Sequence, residues 1–184
     1  CLKHPKGCFF NAKNLTRRIN KMGVAIDLST AGIRIGYAYE AVAGTRPSSG
    51  YTNLPNPKSI PDMNPEPNAL DITSLNDTEW KRYMEGLKDM GGSLGITFGM
   101  SEQFFTQWET LCNTDETNKA TGKRTWFVFY VPGLSKSFFL PVDPARIGMP
   151  SAEVDSVLDV TVNVLPIGAP SWESAVNPTD PVSA

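Results

Sequence analysis

Acidic side chains in the middle of the chain are the residues best suited to catalysis by type and spacing. Glycoside hydrolases place two carboxylates on either side of the bond that they cleave. Five such groups occur within 19 residues: Asp71, Asp77, Glu79, Glu85 and Asp89. Acids at this density are more typical of a solvated face, because Asp and Glu are rarely buried. We therefore rank a hydrolase with paired carboxylates third among the possible functions of this chain.

Tryptophans offer a second kind of site, a platform on which sugar rings stack. The chain has four of them: Trp80, Trp108, Trp126 and Trp172. Three lie in segments with a regular apolar pattern, where packing in a core is the more common role of an aromatic ring.

Histidine and cysteine are scarce. His4 is the single histidine, and it lies in the first 21 residues, so the rest of the chain cannot supply a Ser-His-Asp or Cys-His arrangement. Cys1, His4 and Cys8 have the spacing of a partial zinc cluster but supply three ligands where a structural site needs four. Cys112 stands alone, and an odd number of thiols is typical of a reducing compartment. We expect no catalytic residue, no metal and no cofactor.

Charge is distributed unevenly along the chain. Residues 1–21 hold six of the 17 basic side chains and none of the 19 acidic ones, a charge of +6. The remaining residues hold 11 basic and 19 acidic side chains, a net charge of −8. Such an acidic body disfavours nucleic-acid binding, because Lys and Arg supply the contacts to phosphate. The basic segment ends before Met22, and we interpret it as a leader or an added sequence; an arm that binds an acidic partner is the alternative.

Membrane insertion is not predicted. The chain has no run of about 18 apolar residues, and no apolar stretch of the kind found in secretory signals follows the basic N-terminus.

Alternation of large apolar residues with small or polar ones predicts strands. The segments with this pattern are residues 32–42, 94–100, 125–131, 136–142 and 154–165. In 94–100, Leu94, Ile96 and Phe98 alternate with Gly95, Thr97 and Gly99, so one face of the strand is nearly bare. A bare face allows another backbone or another subunit to approach closely.

Residues 70–92 combine strand and helix signals. A strand is predicted at 70–75. Asn76 and Glu79 then have the spacing of a capping box, apolar residues follow at helical spacing, and Gly91 and Gly92 end the segment. We predict a short helix over 78–89, with an irregular turn and strand as the alternative.

A stronger helix is predicted to begin at Ser101, which can cap it, with Glu102 in its first turn. Its apolar stripe comprises Phe104, Phe105, Trp108, Leu111 and Cys112. The polar residues 113–123 predict a loop after it.

Prolines mark two long irregular segments. Residues 43–68 contain six prolines and are predicted to form a long loop, within which short extended pieces such as 59–63 can pair. Residues 166–184 contain four prolines without periodicity and are predicted to form an extended C-terminal tail.

These elements predict a mainly β fold: a two-sheet β-sandwich or barrel with one flanking α-helix and long loop and terminal arms. A chain of 184 residues suits one such domain. The predicted organisation is a basic N-terminal extension at 1–21, a β domain at 22–165 that includes the proline-rich loop 43–68, and a tail at 166–184.

A motif runs through the middle of the chain. LDITSL at 70–75 precedes WKRYMEGLKD at 80–89 and the alternating strand at 92–100. Residues 155–172 read as a closing strand followed by a short piece with glycine, proline and an aromatic residue. This order resembles the major tail proteins, or tail tube proteins, of long-tailed bacteriophages, over roughly residues 31–172. The positions that match the family motif are Thr73, Trp80, Gly86, Leu87, Asp89 and Gly168.

The resemblance implies a fold shared with the tube protein of type VI secretion systems. It further implies that six copies close into a ring and that rings stack into a hollow tube, through which viral DNA passes during ejection. The implied partners are other copies of the chain, the tape-measure protein and DNA in the lumen, and adaptor proteins at the tail tip and the head-proximal end. The implied location is the virion tail, made and assembled in the host cytoplasm. The net negative charge of the chain after its basic N-terminal segment suggests a further hypothesis. Acidic side chains that line the lumen would repel DNA and so prevent it from binding to the tube wall.

One alternative function comes from a different class of protein. A monomeric β-sandwich that binds carbohydrate through exposed tryptophans fits the same predicted fold. Particle shape discriminates the two, since the first forms rings or tubes and the second stays a 20.1 kDa monomer.

Overall fold

The structure is a computed structural model that describes residues 27–181. The chain divides into two units, Cys1–Thr30 and Ala31–Ala184, and every element below belongs to the second. The basic extension 1–21, with Cys1, His4 and Cys8, lies outside the described residues.

The fold is mainly β with one helix among the described residues, which confirms the predicted class. The strands are β1 Arg34–Tyr39, β2 Thr52–Leu54, β3 Pro57–Ser59, β4 Ala69–Asp71, β5 Tyr83–Glu85, β6 Leu94–Gly99, β7 Thr125–Tyr130, β8 Lys136–Pro144, β9 Asp159–Pro166 and β10 Ser171–Ser174. The helix, α1, spans Glu102–Lys119. No helix within residues 27–181 has the length and apolar character that crossing a membrane requires.

Eight of the strands form one curled antiparallel sheet. Its order is β2-β1-β7-β8-β9-β6-β3, with β10 also paired to β8. The outermost strands β2 and β3 are separated in the chain by only Pro55 and Asn56. Asn56 has a left-handed φ of 55°, and its carbonyl oxygen accepts a hydrogen bond from the Gly99 amide at 2.9 Å. The sheet therefore curls into a half-barrel, and its two edge strands, β2 and β3, are connected directly by the chain.

The residues predicted to form a tail, 166–184, contain a strand. β10 pairs with the first half of β8, whereas β9 pairs with the second half, so the two strands follow the same edge. Between them the chain bends around Pro141, whose carbonyl oxygen accepts from the Ile167 amide at 3.0 Å. At Gly168 a Cβ atom would lie 2.9 Å from Pro141 Cγ, so a glycine permits this close approach. The prolines of this segment all lie outside Ser171–Ser174, so they do not interrupt the pairing of β10.

The proline-rich loop 43–68 likewise contributes the short strands β2 and β3 to the sheet. The predicted alternation at 94–100 is confirmed, since Leu94, Ile96 and Phe98 of β6 are buried. On the other face of the sheet, Thr97 of β6 lies opposite Thr161 of the neighbouring strand β9, and their hydroxyls are 3.0 Å apart.

The main core lies between the sheet and α1. The ring centroids of Phe98 and Phe104 are 4.7 Å apart, and those of Phe104 and Trp108 are 5.8 Å apart. Trp108 also contacts Phe127 of β7 edge to face at 6.1 Å, and its Nε1 donates to the Ala145 carbonyl oxygen at 3.0 Å. Helix and sheet are thus joined by one aromatic stack.

The helix starts as predicted and ends later. The Ser101 side chain accepts from the Phe104 amide at 3.2 Å and caps the N-terminus. The predicted loop at 113–123 is wrong for its first seven residues, because α1 continues to Lys119. Its last turns carry a buried carboxylate, Asp115, which accepts from the Thr125 hydroxyl and pairs with Lys119 at 3.0 Å. These contacts are tertiary, so the polar sequence gave no sign of them.

A second, smaller apolar cluster lies apart from the first. It contains Ala38, Tyr51, Trp126, Val128 and Phe139, and Val176 packs against it. Two backbone hydrogen bonds hold the C-terminal segment there. The Asn53 amide donates to the Thr179 carbonyl oxygen at 2.8 Å, and the Thr179 amide donates to the Tyr51 carbonyl oxygen at 3.0 Å.

The predicted short helix at 78–89 is wrong. This region forms a two-stranded sheet in which β4 and β5 pair antiparallel, Ala69 opposite Glu85 and Asp71 opposite Tyr83. The capping-box signal fails because the polar side chains satisfy a turn instead: Asp77 accepts from the Ser74 amide at 2.9 Å.

Candidate functional site

The β4–β5 hairpin is a separate two-stranded sheet, and its base is fixed by backbone bonds. The Glu66 amide donates to the Asp89 carbonyl oxygen at 3.2 Å, and the Gly86 amide donates to that of Asn68 at 2.6 Å. At Gly86 a Cβ atom would lie 3.1 Å from the Asn68 carbonyl oxygen. A glycine here lets the two strands approach closely where the hairpin leaves the body.

Short-range polar contacts shape the far part of the hairpin. The Arg82 amide donates to the Thr73 hydroxyl at 3.0 Å, and the Ile72 amide donates to the Arg82 carbonyl oxygen at 2.9 Å. The Asp71 carboxylate accepts from the Thr73 amide at 2.9 Å. These bonds extend the pairing beyond the regular ladder and define the turn between residues 73 and 82.

Apolar side chains on this hairpin are exposed. Trp80 is 81% exposed and Leu87 is 89% exposed. We call the exposed set the hairpin surface: Leu70, Ile72, Leu75, Trp80, Tyr83, Met84 and Leu87. None of these residues belongs to either apolar cluster of the described part of the chain. A two-stranded hairpin is marginally stable on its own in water, so this surface is suited to being covered.

The charged groups of the hairpin are largely paired with one another. Lys81 lies 3.5 Å from Asp71, Arg82 lies 3.7 Å from Asp77, and Lys88 lies 3.4 Å from Glu85. Each of these exposed pairs contributes little to stability, but together they satisfy the charges locally. Glu79 and Asp89 take no part in these three ion pairs.

Five of the six family-motif positions come together in this hairpin and its base. Thr73 shapes the turn, Trp80 and Leu87 are exposed, Gly86 lies at the close approach, and Asp89 accepts from the Gly91 amide at 3.0 Å. The sixth, Gly168, lies at the bend between β9 and β10 and not in the hairpin.

Four of the five carboxylates with potential for catalysis make structural contacts: Asp71, Asp77, Glu85 and Asp89. Hydrogen bonds from Thr73 hold the pKa of the Asp71 carboxyl below its usual value, with a smaller contribution from Lys81. A general acid needs the opposite shift. Asp77 and Glu85 are held by their ion pairs with Arg82 and Lys88.

The four tryptophans do not form a common platform. Trp108 is 1% exposed and Trp126 is 9% exposed, and both serve apolar clusters. Trp80 lies on the hairpin, and Trp172 lies on β10 with its ring 5.3 Å from that of Phe138.

An apolar groove lies beside β7, β8 and β10. Its lining includes Phe129 and Phe138, which are cross-strand partners in the β7–β8 ladder. Trp172 of β10 and Ile60 and Met63 of the proline-rich loop line it as well. The groove is open to solvent and has a cavity volume of about 330 Å³. Sequence reasoning missed it because its walls come from distant segments; the one available signal was an aromatic residue, Trp172, among prolines.

Metal ligands are not grouped in the described region. Among residues 27–181, no set of three or more His, Cys, Asp and Glu side chains is placed to hold an ion. Cys112 is buried and unpaired with another cysteine there, and its burial raises the pKa of the thiol to about 11.

The class of this fold, over residues 27–181, is mainly β: a curled sheet with one helix and a separate apolar hairpin. No family model matches the chain, and no curated protein sequence matches it. Among solved structures, it is similar to a chain in the cryo-EM structure of the anti-feeding prophage baseplate, 6-fold symmetrised, with a TM-score of 0.57 and 10% identity. That similarity covers 82% of this chain and 98% of the other.

A chain in the cryo-EM structure of the anti-feeding prophage cap, the tube-terminating cap, is similar as well. The TM-score is 0.55 and the identity is 8%, over 83% of this chain and 95% of the other. At such identities the likeness establishes the fold alone, over about four fifths of this chain and nearly the whole of each of the others.

Proposed function

We propose that this chain is a structural subunit of a phage-type tail tube. Copies assemble into hexameric rings, and rings stack into a hollow tube that conducts viral DNA during ejection. The observation that carries the proposal is the hairpin surface, because seven exposed apolar residues on a weakly supported hairpin favour a role in assembly.

The similar solved structures support a structural role in a phage-type tail. Chains of like fold occur in the baseplate and the tube-terminating cap of the anti-feeding prophage, and the baseplate structure has sixfold symmetry. The motif positions Thr73, Trp80, Gly86, Leu87 and Asp89 would then be structural positions of the hairpin, with Gly168 supporting the sheet edge. The role is non-enzymatic, and the site of action is the virion tail after assembly in the host cytoplasm.

Partners follow from the proposed role. They are neighbouring copies within and between rings, the tape-measure protein and DNA in the lumen, and adaptor proteins at the two tube ends. The organisation proposed is an extension at 1–21, the tube domain at 22–165 with the loop 43–68, and the C-terminal segment 166–184, whose strand β10 completes a sheet edge.

Electron microscopy with size-exclusion chromatography tests the proposal. The purified full chain, imaged in negative stain over a range of concentrations, is expected to show sixfold rings and stacked tubes. A chain that stays a 20.1 kDa monomer throughout contradicts the proposal, and specific glycan binding by that monomer supports the carbohydrate-binding alternative.

A further inference from the structure

We propose that copies of this chain exchange their C-terminal segments, residues 175–180, which we call the strap. In the structure the strap lies on the body of its own chain. In the assembled particle the strap of one copy occupies the same site on the next copy. The inference rests on the proposed function and names a contact by which copies associate.

The strap has one face on the body and one face in solvent. Val176 is half-buried and Pro178 is buried, whereas Ala175, Asn177 and Thr179 are exposed. This alternation is that of an extended segment with a single buried face. Val176 packs against the smaller apolar cluster, so the buried face of the strap is apolar.

The body has a notch that accepts the proline of the strap. At Gly36 of β1 a Cβ atom would lie 2.5 Å from Pro178 Cβ, which is closer than van der Waals contact allows. The absence of a side chain at Gly36 therefore leaves room for the Pro178 ring. Arg34, on the same strand, donates from Nη1 to the Pro178 carbonyl oxygen at 3.3 Å.

Polar groups of the body fix the register of the strap. The Ser137 hydroxyl, 0% exposed, accepts from the Val176 amide at 3.1 Å. The Asn53 amide donates to the Thr179 carbonyl oxygen at 2.8 Å, and the Thr179 amide donates to that of Tyr51 at 3.0 Å. A buried hydroxyl that loses its partner costs free energy, so this site favours an occupant with the same backbone pattern.

The strap of a second copy carries that pattern. Each hydrogen bond described above joins the strap to a residue at least 39 positions earlier in the chain. The bonds thus link the strap to the body and form equally well within one chain or between two chains. Exchange of an identical element is a low-cost route from monomers to oligomers.

The strap can open without loss of the sheet. A single parallel bridge joins it to β2, whereas β2 itself pairs with β1 over three residues. Segments with few bonds at the end of a chain open more readily than the core. Release of the strap therefore leaves the order β2-β1-β7-β8 of the main sheet in place.

Exchange in one direction generates an extended assembly. The strap follows β10, whereas its site lies on β1, β2 and β8, so donor and receptor are different surfaces. A copy that gives its strap to the next one leaves its own site open to a third. Such a head-to-tail contact closes a ring or extends a filament. Dilution favours docking within the chain, and crowding of copies favours exchange.

A disulfide between strap and site reports which copy supplies the strap. Thr52 of β2 and Thr179 are bridge partners. Neighbouring strands lie about 4.8 Å apart, within the Cα separation that a disulfide spans. The test variant is therefore Thr52→Cys with Thr179→Cys, in a background with Cys1→Ser and Cys8→Ser. Cys112 stays in place because it is buried.

The control joins two strands that do not exchange. It carries Thr97→Cys and Thr161→Cys in the same background, since these residues pair between β6 and β9 with their hydroxyls 3.0 Å apart. Unfolding midpoints identify a test variant that fails to fold. Asn53→Cys with Asp180→Cys then replaces it, because those two side chains are hydrogen-bonded at 2.7 Å.

Non-reducing gel electrophoresis reports the outcome after oxidation. In dilute solution we expect the test variant to form its disulfide within the chain and to migrate as a monomer. After assembly at high concentration we expect covalent oligomers, at least about tenfold more than in the control. Mass spectrometry of proteolytic peptides is expected to show position 52 linked to position 179 in those oligomers.

The outcomes separate this inference from the proposed function. Rings whose disulfides are all within chains overturn the exchange and leave the tube subunit standing. Disulfides between chains without rings or tubes support the exchange and contradict the tube. Monomers with disulfides within the chain at every concentration contradict both. A folded test variant that forms no disulfide also overturns the exchange, because its strap is then not at the site.

Discussion

The indole of Trp126 donates a hydrogen bond from Nε1 to the Glu40 carboxylate at 2.8 Å. Glu40 is 3% exposed, at the end of β1, and also accepts from the Gly44 amide at 2.7 Å. One buried carboxylate thus fixes both a core tryptophan and the start of the proline-rich loop.

Replacing that carboxylate should destabilise the fold. Glu40→Ala leaves the Trp126 indole and the backbone amides of Gly44 and Arg124 without their acceptor. We expect the free energy of unfolding to fall by about 3 kcal/mol. Urea unfolding measures it, with the exposed Glu153→Ala as control. Equal stability of the two variants would refute the role assigned to Glu40.

Replacing two of the tryptophans should change the free energy of unfolding to very different extents. Trp108→Ala removes the centre of the aromatic stack and should lower the free energy of unfolding by about 4 kcal/mol. Trp80→Ala alters an exposed side chain and should change it by less than about 0.5 kcal/mol. Urea unfolding of the monomer compares them, and a large loss from Trp80→Ala would show that the hairpin surface is part of the folded core.

The C-terminal segment should depend on a glycine of β1. At Gly36 a Cβ atom would lie 2.5 Å from Pro178 Cβ, so Gly36→Ala must displace the segment that bonds Asn53 and Tyr51. We expect a loss of about 2 kcal/mol and faster hydrogen exchange at the Asn53 and Thr179 amides. Gly148→Ala, whose Cβ meets nothing within 4 Å, is the matched control. Unchanged exchange in Gly36→Ala would count against this packing.

Because the Cys112 thiol is buried, we expect the free energy of unfolding to depend on pH. Burial raises the pKa of Cys112 from 9.0 to about 11, so the folded chain retains a proton that the unfolded chain releases in this range. The free energy of unfolding should therefore fall as pH rises from 9.0 to about 11. Cys112→Ala, in a background with Cys1→Ser and Cys8→Ser, should show a shallower fall. Identical slopes for the two chains would exclude the thiol as a contributor.

The sequence alone determined the elements whose signals are local. Alternation in 94–100 and 125–131 specified strands because a period of two sorts side chains between two faces. Ser101 and the apolar stripe specified the start of α1. The motif positions Thr73, Trp80, Gly86, Leu87 and Asp89 marked the region that the structure forms into a hairpin.

The remaining elements depend on tertiary contacts. In each of them, residues distant in the sequence determine which of the competing local conformations forms. Residues 78–89 have helical spacing, yet β5 forms since β4 offers a ladder and Asp77 satisfies a turn. The last turns of α1 persist because Asp115 meets Thr125, and the proline-rich C-terminus becomes β10 because β8 has a free half-edge. The groove unites residues as distant as Ile60 and Trp172, a juxtaposition that no local pattern encodes.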